Sequence, residues 1–94
     1  MRSSKFTMAV VCIRGQLKAL AGGQGEHRLE GATVVELLRA LEAGQPALAG
    51  WILDERGSVR RHINVFVNGE QSRGDAPAAP SDRIDVIPAI SGGT

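Results

Sequence analysis

The chain has 94 residues, 11 Lys and Arg, 10 Asp and Glu, and a formal net charge of +1. This length allows one domain with one hydrophobic core. Aromatic residues make up only 3% of the chain. A net charge of +1 gives no strong field, and the stacking aromatics that single-strand binders interleave with basic residues are missing, so this composition argues against nucleic acid as a main partner. No apolar run approaches the length that crosses a bilayer, so we also expect no membrane partner.

The first predicted element is a strand over residues 6–13 (FTMAVVCI), where apolar and β-branched residues occupy both alternating faces. This pattern is typical of a central strand. The strand holds the only cysteine, Cys12. A single cysteine forms no internal disulfide, which favours a reducing, cytoplasmic location. Because the strand is apolar and has no neighbouring cation in sequence, a buried and inert thiol is favoured over a reactive one.

Residues 21–25 form a glycine-rich segment that is predicted to turn the chain back into a short polar strand over residues 26–30. The alternative is a phosphate-binding loop. Such a loop needs a Lys-Ser/Thr pair and a following helix, and neither is present in the sequence. His27, on the second strand, has no visible metal or catalytic partner and is interpreted as a surface position.

The clearest signal in the chain is that of an amphipathic helix. Thr33 and Glu36 have the spacing of a capping box. Four aliphatic residues then recur at i, i+3, i+4 and i+7 and form one apolar stripe: Val34, Leu37, Leu38 and Leu41. Gly44 is predicted as a left-handed stop, and Pro46 prevents continuation of the helix. We expect about three turns with one face packed on a sheet.

The second half of the chain is predicted to add two strands and their connections. Residues 46–53 are predicted as a short helical turn in which Trp51 covers an edge of the core, and residues 55–58 as a turn. Residues 62–67 (HINVFV) alternate as a strand and end at Asn68-Gly69, which favours a tight type I′ turn. A loop over residues 74–81 then leads to a last strand over residues 83–87.

The order of these elements predicts an α+β fold. Two strands, a helix, a strand, a short strand or loop, and a final strand fit one mixed sheet with one main helix packed on a single face. This is the β-grasp, or ubiquitin-like, architecture, with the first and last strands side by side at the centre of the sheet. We expect residues 1–88 to form this single domain and residues 89–94 to form a flexible C-terminal tail.

The last eight residues, 87–94 (IPAISGGT), have a composition that suits a tail. Pro88 has no N–H to donate and ends ladder pairing. Gly92 and Gly93 have no side chain to pack. Such a segment fits a narrow slot on another protein, where an enzyme closes around the extended backbone. The alternative interpretation is a frayed terminus or a cloning scar, since chain ends are usually disordered.

Four segments together resemble the ThiS/MoaD-type sulfur-carrier proteins, most closely the CysO group. They are residues 33–38 (TVVELL), 54–57 (DERG), 60–69 (RRHINVFVNG) and 84–93 (IDVIPAISGG). The resemblance spans about residues 6–93. It implies that an E1-like activating enzyme of the MoeB/ThiF type uses ATP and Mg to adenylate Gly93, and that a sulfur donor then forms a thiocarboxylate. Ser91 and Gly92 would thread through the enzyme's channel.

The resemblance also implies that the chain is a protein co-substrate with no catalytic residue and no cofactor or metal of its own. Its mature relatives end at the second glycine. Thr94 therefore has to be removed by cleavage between Gly93 and Thr94, as in relatives that are made as short precursors and trimmed by a metalloprotease. The alternative is that Thr94 was introduced by the expression vector.

A partner-contact surface is a further implication of the resemblance, because relatives present an apolar sheet patch to the activating enzyme. The candidates in this chain are Phe66, Ala89 and Ile90, with Arg60, Arg61 and Arg73 as charges at the rim. Core packing of Phe66 and ordinary solvation of the arginines are the alternatives.

Three functions remain open from the sequence. The first, favoured by the resemblance, is a sulfur carrier that supplies an acceptor synthase in the synthesis of cysteine or a sulfur-containing metabolite. The second is a ubiquitin-like modifier that attaches Gly93 to target lysines. The third is a β-grasp interaction module with an inert tail. A free thiocarboxylate indicates the first, isopeptide adducts the second, and failure of adenylation after trimming the third.

Overall fold

The computed structural model describes residues 8–72, 75–79 and 81–88. Within these ranges the chain forms five strands, two α-helices and one 3-10 turn. In chain order they are β1 (Met8–Ile13), α1 (Gly15–Leu20), β2 (Glu26–Glu30), α2 (Val34–Gly44), the 3-10 turn (Pro46–Leu48), β3 (Ile63–Val67), β4 (Glu70–Ser72) and β5 (Arg83–Pro88).

The strands form one mixed sheet in the order β2-β1-β5-β3-β4. The central pair, β1 and β5, is parallel, and the other three pairs are antiparallel. The first and last strands therefore lie side by side at the centre, and α2 packs on one face of the sheet. This arrangement confirms the predicted β-grasp.

The core is aliphatic and lies between α2 and one face of the sheet. The four residues of the predicted helix stripe are at most 1% exposed, and they pack with alternate residues of the strands: Ala9, Val11, Ile13, Ile63, Val65, Ile84 and Val86. Burial of one large aliphatic side chain contributes about 1.5–3 kcal/mol. The helix stripe alone therefore supplies a large part of the driving force for packing α2 on the sheet.

Both ends of α2 are defined by local contacts. The Glu36 backbone N–H donates to Thr33 Oγ1 at 3.2 Å, and Glu36 Oε1 accepts from the Ala32 N–H at 2.7 Å. The predicted cap is confirmed, with the carboxylate reaching one residue further back than expected. The left-handed stop at Gly44 is wrong, because Gly44 is the last helical residue and has no positive φ. The helix ends because Pro46 disfavours helical backbone at the preceding residue, Gln45, which has φ −129° and ψ 85°.

Helix α1 was not expected from the sequence. It occupies six residues between β1 and the glycine-rich turn, and only Leu17 in it is buried. One buried residue in a six-residue segment gives no helical period to detect, which explains why the pattern did not show it. The turn after it and strand β2 are as predicted, with Gly22 at φ +71° and Gly23 at φ +91°.

The β3–β4 connection is the tight turn predicted from Asn68-Gly69. Both residues have positive φ, at 53° and 90°, and Val67 pairs directly with Glu70. The Asn68 side chain also ties this hairpin to the start of β5. Its Oδ1 accepts from the Arg83 backbone N–H and its Nδ2 donates to Asp82 Oδ1, each at 3.0 Å.

Trp51 does not cover an edge of the core as expected from the sequence. The core positions of this segment are taken by Leu48 and Ile52, each 0% exposed, whereas Trp51 is 39% exposed. Gly50, at φ +83°, turns the backbone just before it. The predicted short helical turn is present at Pro46–Leu48.

Candidate functional site

The predicted tail lies beyond the last residue that the structure describes, which is Pro88. The predicted threading, activation and cleavage residues, and two of the three predicted contact residues, are outside the described residues: Ala89, Ile90, Ser91, Gly92, Gly93 and Thr94. The structure does describe where β5 ends, and this fixes the point on the domain from which the tail departs.

That point lies at the end of the sheet where β1 also ends, because β1 and β5 run parallel. Val86 pairs with Ile13 of β1, and Pro88 pairs with Ile63, the first residue of β3. The Pro88 ring also lies over Gly15, since a Cβ placed on Gly15 would be 3.8 Å from Pro88 Cγ. We call this end of the domain, with α1 and the start of β3, the tail end.

Three charged side chains, Arg14, Arg83 and Asp85, lie close together near the point where the tail departs. Asp85 Oδ1 is 3.5 Å from Arg14 Nη2 and 3.4 Å from Arg83 Nε. The Asp85 side chain is 15% exposed, against 57% and 53% for the two arginines. Pairs this long and this open to solvent contribute little to stability. Their effect is to place a partly covered carboxylate between two exposed guanidinium groups, beside the departing chain.

Phe66 lies on the sheet face opposite the core. It is half-buried and is absent from the core cluster, whereas its neighbours Val65 and Val67 belong to the core side. The register places it next to Asp85 of β5 and Gln71 of β4. The alternative of core packing is therefore wrong for Phe66, and its partner contact stays a prediction.

The two described rim arginines lie in a different place from Phe66. Arg60 and Arg61 line a groove beside the start of α2, together with Thr33 and Val35. Arg61 is exposed, and Arg60 Nε is buried without a hydrogen-bond partner among the described residues. Arg73 lies outside the described residues.

Cys12 is buried, as expected from its strand, and is 4% exposed. Burial raises the pKa of the thiol, and the charge of Arg83 opposes this shift without overcoming it. The raised pKa disfavours the thiolate that a nucleophile needs. Cys12 thus fits the inert-thiol prediction, although the fold brings to it one cation, Arg83, that is distant in sequence.

Three other features would indicate a function in the described part of the chain: a metal-binding cluster, a partner of His27 or a membrane-spanning helix. No group of three or more His, Cys, Asp or Glu side chains there is arranged to hold a metal ion. His27 Nε2 lies 3.0 Å from the Gln24 carbonyl oxygen, a local surface contact. No described helix is long and apolar enough to cross a membrane.

The sequence matches the model of the ThiS family over residues 11–93. The chain belongs to the ThiS family. Its sequence is 37% identical to small archaeal modifier protein 1 of Haloferax volcanii over 62 residues, which are 66% of this chain and 71% of the relative. The match establishes it as a member of the small ubiquitin-like carrier and modifier proteins.

Solved structures agree with this ThiS-family assignment. The crystal structure of SAMP1 from Haloferax volcanii superposes with a TM-score of 0.82 and 30% identity, covering 92% of this chain and 99% of that chain. The CysO structure from the Amycolatopsis orientalis BexX/CysO complex gives a TM-score of 0.79 and 28% identity, covering 90% of this chain and 99% of that chain.

Sequence reasoning missed one contact that shapes the tail end. In the sequence, Glu42 is one of the polar positions outside the apolar stripe of α2. Its Oε2 accepts from the backbone N–H groups of Ile52 and Leu53, at 3.0 and 2.9 Å. No local pattern indicates this contact, because the donors are 10 and 11 residues away.

Proposed function

We propose that this ThiS-family chain is a sulfur carrier whose reactive group is the carboxylate of Gly93. An E1-like activating enzyme of the MoeB/ThiF type transfers AMP from Mg-ATP to that carboxylate and releases pyrophosphate. A hydrosulfide equivalent then attacks the acyl carbon and displaces AMP, which leaves a thiocarboxylate. The chain acts as a co-substrate in both steps, and ATP and Mg are used by the activating enzyme.

The observation that carries this proposal is the extent of the family match. It continues past the folded domain, includes Gly92 and Gly93, and stops before Thr94. The geometry is compatible with it. Gly93 is five residues beyond Pro88, so an extended chain places it at most about 17 Å from the end of β5. This is enough to reach a recessed site, with Ser91 and Gly92 passing through a narrow channel.

The Gly93–Thr94 bond has to be cleaved for this chemistry. While it is intact, Gly93 carries an amide and offers no carboxylate for adenylation. We propose that a metalloprotease removes Thr94. The helix-free sheet face with Phe66, continued by Ala89 and Ile90, is the proposed contact surface for the activating enzyme.

The acceptor in this proposal is a synthase that makes cysteine or a sulfur-containing metabolite, as the likeness to CysO supports. A cytoplasmic location fits a thiocarboxylate and an unpaired cysteine, both of which persist in a reducing compartment.

A second candidate function is protein modification. It is favoured by the 37% identity to a protein named small archaeal modifier protein 1. Both functions begin with adenylation of Gly93 and differ in the nucleophile that follows. Attack by sulfide on the adenylated Gly93 forms the thiocarboxylate of a sulfur carrier. Attack by a lysine amine of a target protein forms an isopeptide bond.

The test uses two versions of the protein, one ending at Gly93 and one retaining Thr94. With a ThiF/MoeB-type enzyme, we expect ATP–pyrophosphate exchange only for the version that ends at Gly93. With a sulfur donor added, intact-mass spectrometry should show one oxygen exchanged for sulfur. Isopeptide-linked lysine adducts in place of this product would establish the modifier function.

The variant that tests the assigned residue is Gly93→Ala in the version ending at residue 93. We expect sharply reduced exchange, because a Cβ at the reacting residue obstructs a slot fitted to glycine. Gly44→Ala is the matched control, since it makes the same chemical change at a helical position with nothing within 4 Å of the added Cβ. Equal sulfur loading in both variants would refute the role of Gly93.

A further inference from the structure

An exposed apolar surface surrounds the single tryptophan of the chain. Residues 43–51 (AGQPALAGW) contain no charged side chain. We define the Trp51 shoulder as the exposed residues of this stretch that follow α2: Pro46, Ala47, Ala49, Gly50 and Trp51. Trp51, at 39% exposure, is one of the two exposed large hydrophobic residues in the described part of the chain.

The backbone of the Trp51 shoulder is held in place on both sides of the tryptophan. Leu48 and Ile52 are each 0% exposed and anchor the segment in the core. The Trp51 N–H donates to the Leu48 carbonyl at 2.9 Å, and the Glu42 carboxylate accepts from the next two backbone N–H groups. Trp51 is thus presented from an ordered backbone, so less ordering entropy is lost when a partner covers it.

The Trp51 shoulder lies at the tail end of the domain. It follows the C-terminus of α2, where Gln45 Nε2 donates to Gln24 Oε1 at 3.5 Å and so meets the connection into β2. Its 3-10 turn contacts α1, and α1 contacts β5. Since Pro88 lies against Gly15 at the start of α1, the shoulder and the departure point of the tail are on the same end.

We propose that the Trp51 shoulder is a contact surface for the E1-like activating enzyme, separate from the sheet face that carries Phe66. This inference rests on the proposed function. An enzyme that holds Gly93 must approach within about 17 Å of Pro88, so it covers the tail end. A charge-free surface with one fixed tryptophan fits an apolar pocket on that enzyme, and tryptophan is among the residues most enriched at interface hot spots.

The first experiment measures KM and kcat for the carrier in ATP–pyrophosphate exchange, with a ThiF/MoeB-type enzyme and the chain ending at Gly93. We expect Trp51→Ala to raise KM about 10- to 30-fold, as loss of a hot-spot tryptophan does. The value of kcat should stay unchanged, because Trp51 does not contact the reacting atoms. Urea unfolding of the variant separates this effect from a loss of folded protein.

Pro77→Ala is the control. Pro77 is exposed, is not part of the sheet, and forms an isolated β-bridge with Thr33, the residue before α2. Thr33 follows the end of β2, which pairs with the start of β1, so Pro77 lies at the opposite end from the tail. We expect its KM to stay within about twofold of the unsubstituted value, as for a residue outside the interface.

The second experiment leaves the sequence unchanged. Because the chain has one Trp, labelling with 5-fluorotryptophan gives one ¹⁹F signal. We expect this signal to shift or broaden when the activating enzyme is added. If exchange is normal while the KM of Trp51→Ala stays within twofold and the ¹⁹F signal is unaffected, this inference is wrong and the proposed function stands. If the chain ending at Gly93 supports no exchange, both are wrong.

Discussion

The contact between Glu42 and the segment after Trp51 makes the most quantitative prediction. In Glu42→Ala the backbone N–H groups of Ile52 and Leu53 lose a charged acceptor at 3.0 and 2.9 Å. Each hydrogen bond to a charged group contributes about 1.5–3 kcal/mol when buried. Here the contact is part-buried, and alanine is the better helix former by a few tenths of a kcal/mol. We expect the free energy of unfolding to fall by about 2–3 kcal/mol.

Urea unfolding followed by circular dichroism measures this loss. A domain of this size has an m-value of about 1 kcal/mol per molar urea, so the midpoint should fall by about 2–3 M. Glu42→Gln retains an acceptor oxygen without the charge and should lose about 1 kcal/mol.

Glu55→Ala is the control for the loss of a glutamate. Glu55 lies in an exposed turn and makes no side-chain hydrogen bond to the described residues, so its stability should change by less than about 0.5 kcal/mol. A Glu42→Ala variant that unfolds within about 0.5 kcal/mol of the unsubstituted protein would refute the reasoning. It would mean that water or a rearranged backbone satisfies the two N–H groups without the carboxylate.

Two further predictions concern glycine conformation and pH. Gly44→Ala should raise the free energy of unfolding by about 0.5–1 kcal/mol, because Gly44 is helical with space for a Cβ. Gly57→Ala should lower the free energy of unfolding by about 1–2 kcal/mol, since Gly57 has φ +83° and its Cβ would lie 2.8 Å from Arg39 Nη2. Thermal unfolding measures both variants, and unfolding temperatures that shift in the same direction would contradict these two predictions. The Ala79 N–H, and then the Asn68 side chain, lower the pKa of Asp82. The stabilising contribution of Asp82 is therefore present above the unfolded pKa of about 3.9 and is lost as pH falls through the lower folded value. From pH 6 to pH 3, the urea midpoint of Asp82→Asn should fall less than that of the unsubstituted protein. An equal fall in the two proteins would contradict the assignment.

Elements with strong local signals were predicted correctly. The stripe of α2 is a repeat within eight residues, the cap at Thr33 needs a partner three residues away, and the Asn68-Gly69 turn depends on two adjacent residues. The strands of the sheet follow from alternation and β-branched composition. These features depend on backbone preference and on the period of burial, both of which can be read in a short window.

Elements without such a signal were missed. Helix α1 is too short to show a period, and Gly44 was assigned a helix stop that the proline two residues later provides instead. The sequence does not decide between the core and the surface for Phe66. A strand with apolar residues on both faces does not show which face the helix covers, so only the packing of α2 placed Phe66 on the other side.

The sequence by itself determined the family, the β-grasp and the tail chemistry proposed for Gly92 and Gly93, because the segments that carry the resemblance and the glycine pair are local patterns. Only the tertiary structure decided that Trp51 is exposed, that Glu42 holds the backbone beside it, and that both lie at the end from which the tail departs. The physical reason is range. Burial of one side chain, and a hydrogen bond to a backbone 10 residues away, depend on how the folded elements meet, and no window of sequence contains that information.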